Sequence, residues 1–269
     1  MLTKKIKEYL DIATIEAIVT YGDKEGSFTL DLHKHYETYK DAKSEQQKDK
    51  VIDSYSPLFN DFNVEFDIAR CYLSAERFPK ERLFLIRLIF EVFLPSLEQN
   101  NTSNPIQNFS ELIKKNGLSA ESSKGNHKRT ISAISKLAFL YNPMIYLPYD
   151  KNVRESVKDY LKENRIRMNI NNDYLVFLEV LGELEILIKQ MIPENYLNDK
   201  MYLENLSRQY TVDHDRINTR INCVEKICRS MNIENANELV LKRCVDKILM
   251  MCGGFKKDEL EVFVQEYLH

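Results

Sequence analysis

Glycine and proline are scarce, with seven of each in 269 residues. An all-β or alternating α/β chain of this length needs more turn residues, so long helices are expected. Long apolar runs are missing as well. The best stretch, Leu83 to Leu97, contains Arg87 and Glu91 and falls short of the roughly 18 apolar residues a membrane helix needs. It predicts a buried helix and no membrane partner. Residues Met1 to Leu10 mix Lys with apolar residues, so neither a secretory leader nor an anchor is expected there. The five cysteines lack the C-x2-C spacing of a zinc or iron-sulfur site. Their odd number predicts reduced thiols in a cytoplasmic protein without metal or other cofactor. No Walker loop, Gly-x-Ser-x-Gly elbow or His-Glu-x-x-His motif occurs.

What is present is a globular balance of 43% apolar and 29% charged residues, enough to fill a core. The net charge of -3 is unevenly spread. Between Lys114 and Arg167 twelve Lys and Arg face five Asp and Glu, a local charge of +7 that leaves -10 on the remainder. A basic face on an acidic body suits a nucleic-acid partner, although a solvated helix face also carries such charge.

Apolar residues recur at helical spacing from Leu2 to Ile18, and Gly22 and Gly26 mark a turn over Tyr21 to Phe28. A helix is expected from about Asp31 into Asp53. Pro57 then breaks the chain, and Val64 to Leu73 and Lys80 to Leu97 read as helices. Glu98 to Asn108 reads as a loop. Further helices are expected over Phe109 to Lys115, Lys128 to Tyr141, from Asp150 onward, and over Tyr174 to Met191, Met201 to Gln209, Asp215 to Met231, Asn237 to Met251 and Lys256 to Leu268. The fold class is therefore all-α, a multi-helix globular protein. Residues 1–60 form an N-terminal helical region, and residues 61–269 a helical core with the basic segment 114–167.

One stretch carries most of the chemical interest. The helix His127 to Tyr141 ends at Asn142-Pro143 and is followed by Leu147-Pro148-Tyr149-Asp150-Lys151-Asn152-Val153-Arg154. This succession resembles the helix-hairpin-helix DNA glycosylases. It resembles particularly the diverged bacterial proteins of 8-oxoguanine-glycosylase-like fold, with their Ser-Lys helix, Asn-Pro and Pro-x-Asp pattern. Arg243-Cys244-Val245-Asp246-Lys247-Ile248-Leu249 is similar to an Arg-x-x-Asp-x-x-Leu helix of the same proteins. The two matches cover about forty residues.

The resemblance implies base flipping and a carboxylate beneath an oxocarbenium-like sugar, a role that falls to Asp150. In bifunctional members a Lys amine is the nucleophile. Lys128 matches by position, and Lys136 through its Ser135-Lys136 pair. Lys124, Asn126, Arg129, Lys151, Arg154, Lys158, Arg165 and Arg167 would then contact the nucleic acid, and Tyr141, Tyr146 and Tyr149 would stack on a flipped base. Phe139 belongs to the same aromatic set. The hairpin Ser122-Ser123-Lys124-Gly125-Asn126 departs from the family in having one glycine where phosphate-cradling hairpins use two or more.

Each residue also has a plainer account. Asp150 suits a helix N-cap, Lys128 a surface phosphate contact, Lys136 an ion pair and the aromatics a core. Asp213-His214-Asp215 reads as capping chemistry, and His33-x-His35 places its two imidazoles on different helix faces. Two functions fit. One is a DNA-binding, glycosylase-like protein cleaving the bond to a modified base in genome or phage defence. The other is a non-catalytic helical subunit that grips nucleic acid or a protein partner in a bacterial defence complex.

Overall fold

The computed structural model describes residues 2–66, 78–99, 104–118, 127–170 and 173–254, with residues 78 and 127–129 described by backbone alone. Among the described residues every regular element is helical and no strand occurs. In chain order the helices are α1 (Leu2–Thr20), α2 (Gly26–Asp41), α3 (Glu45–Glu65), α4 (Phe78–Leu88), α5 (Leu94–Glu98), α6 (Pro105–Lys115), α7 (His127–Tyr141), α8 (Lys151–Glu163), α9 (Tyr174–Lys189), α10 (Lys200–Tyr210), α11 (His214–Ser230) and α12 (Ala236–Cys252). Single π-helical turns, Tyr21–Glu25 and Ile89–Phe93, join α1 to α2 and α4 to α5. No helix among the described residues is long and apolar enough to cross a membrane.

The chain divides into two compact units. The first comprises residues 1–27 and 143–269, and the second residues 28–142.

The first unit is built on α12. From Leu239 to Leu249 every residue but Lys242 is buried, so this helix has almost no solvent face. Leu239, Val240, Leu241, Val245, Ile248 and Leu249 supply the apolar surface, each such side chain contributing about 1.5–3 kcal/mol on burial. α1 packs along it, and Thr14 Oγ1 lies 3.5 Å from Cys244 Sγ. α8 turns Val153, Val157 and Leu161 inward at i, i+4, i+8 spacing and docks on α12. Ser156 there donates its hydroxyl to the Leu249 carbonyl at 2.5 Å.

The segment Tyr21 to Phe28, where two glycines suggested a turn, is a kink between helices rather than a loop. Helical conformation breaks at Asp23 alone (φ -128°, ψ -111°), a kink between two helical stretches, and the segment's glycines permit close approach to α11. A Cβ on Gly22 would stand 2.7 Å from the Arg220 carbonyl oxygen, and one on Gly26 2.1 Å from Ile227 Cδ1.

The second unit has an aromatic core of Tyr36, Tyr39, Tyr55, Phe59, Phe62, Phe90 and Phe93. Phe93 stacks on Phe109 of α6 at 4.6 Å. The expected break at Pro57 is overturned, because α3 runs straight through it. Burial of Val51, Ile52 and Tyr55 on one side and Phe59 and Phe62 on the other outweighs the ~3 kcal/mol penalty of an interior proline. The helix expected over Asp31 to Asp53 is two helices, since Ser44 caps α3 by accepting from Gln47 N at 3.3 Å. The expected loop up to Asn108 is shorter. Asn104 accepts from Gln107 N at 3.1 Å and starts α6 with Pro105 in its first turn. Residues 67–73 and Lys256 to Leu268, also expected to be helical, lie outside the described residues.

Candidate functional site around Asp150

Asp150 closes an extended segment that Pro143 and Pro148 keep out of helical conformation. Side chains from α9 hold that segment. The Tyr174 hydroxyl donates to the Leu147 carbonyl at 2.6 Å and accepts from the Leu147 amide at 3.0 Å. Burial raises the Tyr174 pKa well above its ordinary value, so the phenol stays a donor. Tyr149 is 1% exposed and meets Phe177 edge-on at 4.8 Å and Tyr174 at 5.9 Å. Its hydroxyl donates to the Ile170 carbonyl, and the Arg154 guanidinium lies 4.7 Å from its ring centroid.

The backbone of Asp150 has N-cap geometry, and its carbonyl accepts the first helical bond, from Arg154 N at 3.0 Å. The side chain, however, makes no capping hydrogen bond. Asp173, Asp199 and Asp213 each accept from a backbone amide at the start of α9, α10 and α11. Asp150 is half-buried and close enough to Asp246 of α12 to repel that carboxylate.

Asp246 belongs to a buried set of charges. Arg243 donates to Asp246 Oδ2 and to Glu25 Oε1, and Lys247 donates to Glu16 Oε1. All five side chains are at least nine-tenths buried. These contacts join three carboxylates and two cations. Burial, joined by repulsion from Asp150 and Glu25 and opposed by Arg243 and Lys247, pushes the Asp246 pKa up to about 6. Its Oδ1 accepts no hydrogen bond among the described residues. The arrangement sets one half-buried carboxylate at a helix N-terminus and a second, buried one on the helix that α8 packs against.

The other sequence-predicted residues divide between the units. Lys128, Lys136 and Arg129 lie on α7 in the second unit, where Lys136 Nζ donates to the Phe66 carbonyl at 3.2 Å. The side chains of Lys128 and Arg129, and all of Lys124 and Asn126, lie outside the described residues. Lys151, Arg165 and Arg167 are exposed in the first unit, Arg165 in left-handed conformation with φ 56°. Lys158 pairs with Glu155 at 2.8 Å. Arg154 is only 8% exposed, set against Tyr149. Tyr146 is buried. Tyr141, in the second unit, is half-buried, stacks on His33 at 4.9 Å and donates to Glu98 at 2.6 Å.

No group of three or more His, Cys, Asp and Glu among the described residues is arranged to hold a metal ion. Cys223, Cys228, Cys244 and Cys252 are free thiols, and burial pushes the pKa of Cys244 up to about 12. His33 and His35 bond the Tyr141 and Asp31 carbonyls at 2.8 and 2.7 Å. Asp213 caps α11.

Sequence reasoning passed over Tyr174, Phe177, Glu16, Glu25 and Lys247. The Arg243-x-x-Asp246 spacing pointed to one of the helices involved, but nothing local marks Glu16 or Glu25 as partners of its charges. No family model matches the chain, and neither a curated protein nor a solved structure does.

Proposed function

We propose that this chain is a DNA-directed protein with a diverged helix-hairpin-helix glycosylase-like core that cleaves the N-glycosidic bond of a modified base. Asp150 is the carboxylate that stabilises positive charge building on the sugar. One observation carries this reading: the Pro148-Tyr149-Asp150 segment leads into α8, which packs on α12, the helix that carries Arg243-x-x-Asp246, far away in sequence. Where the reaction passes through a Schiff base the resemblance gives the amine to Lys128 or Lys136. The exposed Lys151, Arg165 and Arg167 contact phosphates, with Lys124, Asn126 and Arg129 in the same role. Arg154 supports Tyr149 from within. A place in genome or phage defence follows from such a substrate.

The test is incubation with duplexes bearing damaged or phage-type modified bases, with borohydride present to trap an imine. Base release should fall by about 10²-fold or more in Asp150→Asn. A trapped adduct should vanish in Lys128→Gln or Lys136→Gln.

A second reading draws on the outward face of α8, where Lys151, Glu155, Lys158, Asp159 and Lys162 alternate in sign and Lys158 is paired with Glu155. Such a face suits a protein partner better than a polyanion. It supports a non-catalytic subunit of a defence complex. Absence of base release and adduct across the panel, with partner or DNA binding retained, would select this second reading.

A further inference from the structure

The turn that follows α9 is tied to the start of α12. Tyr196 donates its hydroxyl to the Asn237 carbonyl at 2.8 Å, and the Leu197 amide donates to Asn237 Oδ1 at 3.0 Å. Asn235, the N-cap of α12, accepts from the Asn237 amide through its own Oδ1 at 2.9 Å. Between turn and helix lies a cleft of about 360 Å³, with the buried Ile192, Tyr196 and Leu241 in its wall. Small-molecule sites occupy roughly 300–1,000 Å³. The cleft belongs to the first unit and shares no residue with the surroundings of Asp150.

Its polar lining is selective. Asn235 and Asn237 each use the side-chain oxygen to accept from a backbone amide, so the end left over in both is an NH₂ group, a donor. Asn195, exposed at the rim, adds an amide with both a donor and an acceptor. Charge is arranged against an anion. Lys189 lies 3.5 Å from Glu238, which also meets the positive end of α12 in its first turn, and Glu194 adds a second carboxylate. One ammonium and two carboxylates leave the lining with a net negative charge.

A ligand that suits this cleft has acceptors for two fixed NH₂ donors, a hydrogen for a carboxylate, no negative charge and a flat apolar face for the wall. A nucleobase has all four, in its carbonyl and ring-nitrogen edge, its exocyclic amine and its π face. A sugar sets hydroxyls against the apolar wall instead. We propose that this cleft binds a neutral nucleobase, free or carried in a nucleoside, with the Asn235 and Asn237 amides donating to its acceptor edge. The proposal is independent of the role of Asp150.

Calorimetric titration of the full chain with cytidine, guanosine, cytosine, cytidine 5′-monophosphate and glucose tests it. Cytidine or guanosine should bind saturably. Cytosine binding as tightly as cytidine marks the free base as the source of the ligand, and binding of the nucleosides alone marks the nucleoside. The monophosphate should bind about fivefold weaker or worse, because its charge meets Glu194 and Glu238. Asn237→Asp and Asn235→Asp keep the oxygen that each backbone amide needs and replace only the NH₂ donor. Both should retain the wild-type melting temperature and lose about tenfold or more in affinity. Amide resonances of ¹⁵N-labelled wild type locate the site without any variant, and those of residues 192–197 and 235–241 should shift on addition of nucleoside. Absence of saturable binding by base and nucleosides overturns the proposal. So does binding of the monophosphate or glucose as tight as that of cytidine, or resonance shifts confined to other parts of the chain.

Discussion

Tyr174 holds Leu147 through one hydroxyl that both donates to its carbonyl and accepts from its amide, at 2.6 and 3.0 Å. An extended segment has no ladder of its own, so a side chain satisfies the backbone in place of a neighbouring strand. Removing that hydroxyl strands two buried polar groups. Tyr174→Phe should lower stability by about 2–4 kcal/mol, taking 1–3 kcal/mol for each unsatisfied group with partial rehydration. Urea unfolding measures this. A loss below about 0.5 kcal/mol would show that the clamp contributes little.

Gly253 closes α12 against α8, and a Cβ there would stand 2.0 Å from the Asn152 carbonyl oxygen and 2.6 Å from its carbon. Both are backbone atoms and cannot rotate away. Gly253→Ala should therefore force α8 outward and cost about 1–3 kcal/mol, even though alanine tolerates the local φ of -84°. Hydrogen exchange should accelerate in the first turns of α8. Unchanged protection there would mean the two helices can separate without loss.

The buried Glu16–Lys247 pair offers a cleaner separation of terms. Lys247→Met leaves Glu16 without its cation in a dry site and should cost about 3–5 kcal/mol. Adding Glu16→Leu should recover most of that, since a well-packed apolar pair often matches a buried ion pair. A double variant no more stable than Lys247→Met would contradict this account and implicate packing alone.

His33 and Asp246 give opposite pH signatures. Burial lowers the His33 pKa below 6.5, against the favourable Tyr141 carbonyl and Glu37 and with Lys40 adding to the shift. Between the folded and unfolded values the unfolded chain binds more protons. The His33 contribution is thus fully present above pH 6.5 and lost as pH falls below it. His33→Gln should flatten the decline, as read from denaturation midpoints between pH 7 and about 5.

For Asp246, raised from 3.8 to about 6, the folded state binds more protons in that window. Its contribution is present below about 4 and is lost as pH rises through about 6. Asp246→Asn should remove this slope. A His33→Gln chain whose stability is flat over the same range would sink the assignment of a raised Asp246.

The helical class was legible from spacing and from the scarcity of glycine and proline, because amphipathic periodicity is a local property of the chain. So was the start of α8 at Asp150, where Pro148 prevents earlier helix and an aspartate precedes the first turn. What misled was local punctuation read as final. Pro57 lies inside α3, because burial of neighbouring side chains outweighs a single residue's preference, and Gly22 and Gly26 flank a one-residue kink at Asp23 and serve close packing rather than a loop. The site was half legible. Asp150 and the Arg243-x-x-Asp246 spacing each stand out in the sequence, but their meeting does not. Only tertiary packing of α1 on α12, and the reach of Glu25 to Arg243, bring Glu16 and Glu25 to the buried charges of α12, and only the docking of α8 on that helix sets the half-buried Asp150 close enough to act on Asp246. Charge interaction there depends on distance and burial, neither of which sequence separation encodes.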